Sequence, residues 1–299
     1  MAGPLRSLRT RLGGLGERSR LRLPLLRRVP PLHDLLEWAA RLGYGARGFV
    51  YVSVGVVALM AAWDRVSDPV GSRGAIALLA GRPQDRLWLI LLGVGLWAFV
   101  LWRVLQAVFD ADRQGCGREA LLSRGGQALS GLFYGALGAS VFEFLDEAPA
   151  NPNAADMAEN QDKAAALLAL PFGSLALMAV GLGILAVGLG NVVRGLRSDF
   201  GSSLACSDDL SRRVVPIARA GYIARGVALL PLAVFVGLAG LNARAAEVSS
   251  FGAGLEALES QPGGSWVLGI TALGLIAFGV FALVEARWRR IRPPRDLVD

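Results

Sequence analysis

Chemistry in this chain would have to come from a few charged side chains set inside apolar runs: Arg47, Arg103, Glu143, Arg225 and Glu285. Arg47 and Arg225 hold the same place in two copies of one motif, Arg41-Leu42-Gly43-Tyr44-Gly45-Ala46-Arg47-Gly48 and Arg219-Ala220-Gly221-Tyr222-Ile223-Ala224-Arg225-Gly226. A guanidinium is always charged and presents a planar fork of donors, so phosphate or headgroup binding is the chemistry these two suit best. The competing expectation is a topology anchor near the inner membrane face, where a snorkelling side chain escapes most of the cost of a charge in a span. Arg103 is expected to snorkel inward in the same way. Glu285 stands where the other copies have Gln106 and Arg194. A carboxylate close to hydrocarbon needs a counter-charge, so Glu285 is expected to pair with Arg47 or Arg225. Glu143 is the acidic residue well inside an odd-numbered apolar run, at a position that reads Met60 and Leu238 in the other copies. It is read either as a proton or cation transport residue or as an outer-interface carboxylate beside Asp146 and Glu147.

No enzyme chemistry emerges from the remaining residues. The chain has no nucleophile elbow, P-loop or metal-binding spacing, and its one histidine, His33, is far from both cysteines. Cys116 and Cys206 fall in loops placed in the cytoplasm, where a disulfide is not expected, and they lack zinc-ligand spacing. The expectation is therefore a non-catalytic protein with no cofactor, no metal and no catalytic residue.

The elements that must carry these residues are membrane helices. With 54% hydrophobic residues and 38 glycines in 299, and a mean hydropathy of +0.47, the chain reads as an all-α polytopic membrane protein. Spans are predicted near 45–63, 87–108, 127–145, 172–191, 222–241 and 265–285, each close to the roughly 20 residues that cross hydrocarbon. Runs this long without polar alternation must satisfy their backbone internally, which helices do. An apolar stripe over 32–42, in which His33 is a solvated interfacial residue, leads into the first span.

The motif returns in weaker form as Arg124, Gly126, Gly131, Tyr134 and Gly138, with Gln127 opposite Tyr44 and Ser130 opposite Arg47. Each copy has a second half, in which Pro83, Pro171 and Pro262 precede runs aligned through Gly95-Leu96-Trp97-Ala98-Phe99, Gly183-Ile184-Leu185-Ala186-Val187 and Gly274-Leu275-Ile276-Ala277-Phe278. The unit is helix, proline-bearing loop, helix, used three times. Gly48 with Gly55, Gly131 with Gly138, and Gly226 with Ala233 put small residues two turns apart, so these are read as helix-packing positions. Tyr51 and Tyr134 would lie near that face. The G-Y-x-A-R-G opening and the later P-x-G and G-L-x-A-F elements resemble the bacterial integral membrane proteins grouped as domain of unknown function family 1206. That resemblance covers about residues 38 to 288 and implies the fold without implying catalytic or binding residues.

The expected organisation is a basic tail over 1–30, repeats over 31–113, 118–197 and 214–290, and a second tail over 291–299. Eight arginines against Glu17 in the first tail, and Arg-rich stretches around 110–126, 192–221 and 287–295, place both termini in the cytoplasm of a bacterial inner membrane. Each pair of spans then enters from the same side, giving three parallel repeats and a six-helix bundle with rough threefold character. Trp63, Trp88 and Trp266 are expected at the outer interface, and Trp38, Trp102 and Trp288 at the inner one. Short apolar stretches at 75–80, 164–170 and 254–258 are expected as small helices on the outer surface. Expected partners are membrane lipids, with anionic headgroups drawn to the Arg-rich tail, and not nucleic acid, since no aromatic residue interleaves its arginines. Two function classes follow: a non-catalytic lipid- or partner-interacting bundle, or a small-solute or ion transporter or channel subunit.

Overall fold

The computed structural model describes residues 32–63, 69, 71–79, 86–110, 117–145, 151–198, 200–201, 204–205 and 207–291. The basic tail, both cysteines and the last eight residues lie outside these, as does the His33 side chain. Regular structure among the described residues is helical, apart from one isolated bridge between Leu204 and Arg289. Six long helices are α1 (Leu32–Ala62), α3 (Arg86–Phe109), α4 (Arg118–Glu143), α6 (Gly173–Arg197), α7 (Asp208–Asn242) and α9 (Gly264–Trp288). Three short ones lie between them: α2 (Ser72–Leu79), α5 (Pro152–Leu168) and α8 (Phe251–Glu259).

Five of the long helices, all but α4, are both long and apolar enough to cross a membrane. The sequence reading counted α4 as a sixth. It is 26 residues long, but Gln127, Ser130, Tyr134, Ser140 and its five glycines dilute its apolar character. The stripe expected as an interfacial segment over 32–42 is continuous with the first span in α1. Nothing in Leu32–Leu42 breaks a helix, since no Pro stands between the two parts.

Glycine decides which helices approach closely. A Cβ at Gly48 would stand 2.8 Å from the Gly279 carbonyl oxygen, and one at Gly226 would stand 2.6 Å from that of Gly188. These contacts seat α1 on α9 and α7 on α6. Gly55 continues the first seam, where a Cβ would lie 2.8 Å from the Ala272 oxygen. Gly131 and Gly138 seat α4 on α3 less tightly, against the Arg103 Cβ and the Trp97 ring, each at 3.2 Å. With α1 also packed on α3 and α7 on α9, neighbours run in the order α4, α3, α1, α9, α7, α6. Among the described residues α4 and α6 share at most marginal contact, so this chain of neighbours is open between them.

The three short helices close the end of the bundle at which α1, α4 and α7 finish. Local capping starts two of them: the Asn151 side chain accepts from the Ala154 amide at 3.1 Å, and the Ser250 hydroxyl accepts from that of Ala253 at 3.2 Å. Trp63, Trp88 and Trp266 are exposed near this end. Arg73 of α2 ties the cap together by ion pairs to Glu143 of α4, at 2.9 Å, and to Glu159 of α5. Asp156 sits on the same helix as Glu159, half-buried. Burial pushes its carboxyl above the ordinary aspartate value, against the pull of Arg73 and Lys163. A carboxyl raised on folding stabilises most below its unfolded pKa, and that contribution is lost as pH rises through the folded value. Asp156→Asn is therefore expected to raise the melting temperature at pH 7 and to flatten its fall as pH rises above about 4, the ordinary aspartate range. Melting curves between pH 4 and 8 check this, and a variant that melts lower at pH 7 rejects it.

Candidate functional site

The buried core of α1, α3, α7 and α9 holds the charges that the sequence left at helix ends. Arg47 is 3% exposed and pairs with Glu285, itself 2% exposed. Glu285 also pairs with Arg289, the residue that follows the end of α9. Of the two partners expected for Glu285, the structure provides Arg47. The Arg47 guanidinium lies 5.3 Å from the Phe99 ring centre and 5.2 Å from that of Phe278. Those rings occupy the middle thirds of α3 and α9.

Arg225 lies beside the same ring, 4.9 Å from the centre of Phe278. Its Nε donates to the Tyr51 hydroxyl at 2.9 Å, and Nη1 reaches Asn191 Oδ1 of α6 at 3.4 Å. Arg47 reaches Glu285, within one turn of the end of α9, and lies 5.0 Å from the Tyr44 ring centre, whereas Arg225 is held by Tyr51 and Asn191. Both arginines lie on faces turned to other helices, where ring faces supply the compensation that an interface would otherwise give. Arg103 bridges two turns of α3, one of them towards the helix end. Its guanidinium turns back over Phe99 at 4.6 Å and donates to Gln106 Oε1 at 2.9 Å. Trp102 is no interface residue: it is buried, and its indole N–H donates to the Tyr44 hydroxyl at 3.3 Å.

The cluster carries more positive than negative charge. Among the described residues Glu285 is the one fully buried carboxylate; it attracts Arg103 from beyond ion-pair distance, and the direct partners of Arg103 and Arg225 are amides, a phenol and ring faces. Arg47 adds repulsion to both. The Nε atoms of Arg47 and Arg103 are buried without an acceptor among the described residues. Tyr134 brings α4 into the cluster: its ring meets Phe99 edge-on at 4.9 Å, and its hydroxyl lies beside that of Tyr51.

Glu143 is not part of this cluster. Its side chain is 63% exposed and held by Arg73 at the capped end. Sequence reasoning missed Tyr44, Phe99, Phe278, Asn191 and Arg289 as members. Phe99 and Phe278 were visible as the final residues of the aligned G-L-x-A-F elements. It also missed the first arginine of the motif. Arg41 donates to the Ala286 and Arg287 carbonyls at the end of α9, at 3.0 and 2.7 Å, and Arg124 does so to Ala107 and Val108 at the end of α3, at 2.7 and 2.9 Å. Each covers orphan carbonyls at a helix C-terminus, where a cation is also favoured.

Apolar helices of membrane-crossing length, packed glycine to backbone around arginines, define a multi-pass helical membrane protein with a charged core. The chain belongs to the family described as Domain of Unknown Function (DUF1206), which it matches in three segments, 42–110, 125–198 and 220–289. It is similar to an uncharacterised protein, YxxB, of Bacillus subtilis (strain 168), with 29% identity over 257 residues, covering 84% of this chain and 90% of that one. No solved structure matches it.

Proposed function

We propose that the protein is a non-catalytic multi-pass protein of the bacterial inner membrane that holds an anionic ligand of headgroup chemistry at its guanidinium core. In this reading α4 is a sixth span, and the chain forms three parallel two-helix repeats with both termini in the cytoplasm. The arginine-rich ends favour that orientation, and the burial of Gln127 and Tyr134 in the bundle favours α4 as a span. Membrane lipids are the expected partners, attracted also to the basic tail.

The observation that carries the reading is the pair of guanidiniums, Arg103 and Arg225, inside an apolar bundle without a carboxylate partner among the described residues. A charge in such a place is costly unless it is compensated, and an anion supplies the missing charge while accepting the open N–H groups. Detergent-solubilised protein is expected to melt several degrees higher with phosphatidylglycerol than with phosphatidylcholine. The variant Arg103→Gln/Arg225→Gln is expected to lose that difference. If the double variant keeps the full anionic preference, the core is not the binding site. A small-solute or ion transporter is the second reading, favoured by the position of Arg47 and Arg225 beside rings in the middle of the helices. Flux measurements in proteoliposomes separate the two.

A further inference from the structure

The three repeats do not contribute equally to the core, and the difference falls in one place. In the first repeat Arg47 of α1 stacks on Phe99 of α3, and in the third Arg225 of α7 stacks on Phe278 of α9. The second repeat has Ser130 in place of the arginine and Val187 in place of the phenylalanine. The backbones follow the side chains. A Cβ at Gly43 would lie 2.6 Å from the Phe99 backbone, and one at Gly221 2.5 Å from that of Phe278. Their counterpart Gly126 has nothing within 4 Å among the described residues, and neither has Gly183, although its counterparts Gly95 and Gly274 are tightly filled by Ala46 and Ala224. The open place in the bundle, between α4 and α6, is thus where an arginine-on-phenylalanine pair is missing.

That seam leads to Arg225 and Arg103, neither of which has a carboxylate within ion-pair distance among the described residues. Tyr134 is the α4 residue set against the core, and Ser130 lies one turn from it on the same face, half-exposed. Asn191 is the α6 residue that touches Arg225, and Val187 lies one turn from it, also half-exposed. Arg225 and Arg103 are mostly but not fully buried, in contrast to Arg47. Gly131, the neighbour of Ser130, rests on the Cβ of Arg103. Beside the seam the helices show lipid-type surfaces: Leu129 and Phe133, one turn from Gly126 and Ser130 on α4, and Val180, two turns from Val187 on α6, are exposed. The cap of α2, α5 and α8 covers one end only.

We propose that the seam between α4 and α6 is a lateral binding site for an anionic phospholipid, whose phosphate pairs with Arg225 and Arg103 while its acyl chains lie along the exposed flanks. A lipid is the occupant because the seam joins an apolar flank to unpaired guanidiniums, and an amphiphile with an anionic head matches both. This rests on the proposed anion-holding function and adds the route and the ligand class.

The test fills the seam without touching an arginine. Gly126→Trp and Gly183→Trp, made separately, place a ring in space that is open in both cases. Phosphatidylglycerol bound to each purified variant is counted by native mass spectrometry after exchange against phosphatidylcholine, with glycerol 1-phosphate as a soluble headgroup probe in melting assays. Each variant is expected to melt within a few degrees of wild type without added lipid, and to retain at least tenfold less phosphatidylglycerol. Glycerol 1-phosphate alone is expected to stabilise wild type far less than the lipid does. If both filled variants keep the lipid while Arg103→Gln/Arg225→Gln loses it, the seam is not the route, although the core still binds anions. If glycerol 1-phosphate matches the lipid in wild type, the ligand is a soluble anion and the lipid assignment falls. If the double glutamine variant also keeps the lipid, the underlying function falls as well. Should one tryptophan variant fail to fold, the other gives the same reading from the opposite wall.

Discussion

Glu285→Gln is expected to lower the melting temperature of the detergent-solubilised protein by about 10 °C. The substitution leaves Arg47 charged and buried among Phe99, Phe278 and Tyr44 with no carboxylate beside it. Breaking a buried pair from one side costs about 3–5 kcal/mol, and each kcal/mol moves the melting point of a protein of a few hundred residues by about 2–4 °C. The reverse substitution is expected to be milder. Arg47→Met removes the charge but leaves Glu285 paired with Arg289. A double variant, Arg47→Met/Glu285→Leu, replaces the pair with apolar groups and is expected to recover most of the loss. Equal shifts for the two single variants would show that Arg289 does not share the carboxylate, and an unchanged melting point for Glu285→Gln would show that the pair contributes nothing.

The second large effect is expected at Gly48. Gly48→Val drives a branched side chain against the Gly279 carbonyl and the Leu283 side chain, where even a Cβ would come within 2.8 Å of each. Overpacking a close-fitted site costs about 1–3 kcal/mol, and a backbone obstacle puts this site at the upper end or beyond. The variant is expected to lose its single peak in size-exclusion chromatography, or to melt about 10 °C lower. Gly45→Ala supplies the comparison: a Cβ at Gly45 meets nothing within 4 Å among the described residues, so that variant should behave as wild type. Gly131→Ala falls between, since its neighbour is the Cβ of Arg103 at 3.2 Å and not a carbonyl. If Gly45→Ala proves as damaging as Gly48→Val, glycine acts there through something other than helix packing.

How much of this was legible in the sequence depends on what each signal encodes. The apolar runs announced five of the spans because length and composition alone identify them, and the seven-residue spacing of Gly48 and Gly55 announced a packing face because helical geometry fixes it. The short helices before Pro83 and Pro262 were legible as apolar stretches; α5 is longer than expected because Asn151 and Pro152 start it well before that stretch. The sequence offered Glu285 as counter-charge to Arg47 or Arg225 alike, and which arginine it meets depends on how α9 docks on α1 and α7, which no local pattern encodes. Of the two readings of Glu143, its exposed position at the capped end fits the outer-interface carboxylate, but its partner was not legible. Glu143 sits in an apolar sequence context, yet its partner, Arg73, comes from a loop helix whose docking no local pattern encodes. The aligned repeats held the most useful clue, in the positions where the second copy lacks Arg and Phe.

The pairing of Arg47 with Glu285 also orders events in time. Chains emerge from the ribosome amino terminus first. Arg47 is therefore made early, while its counter-charge and the backbone that faces Gly48 both belong to α9, the last long helix of the chain. Until α9 is made, α1 holds an unneutralised guanidinium and an unfilled glycine groove. Closure of the bundle is consequently a late step, and a nascent chain cut before α9 leaves that face of α1 uncovered.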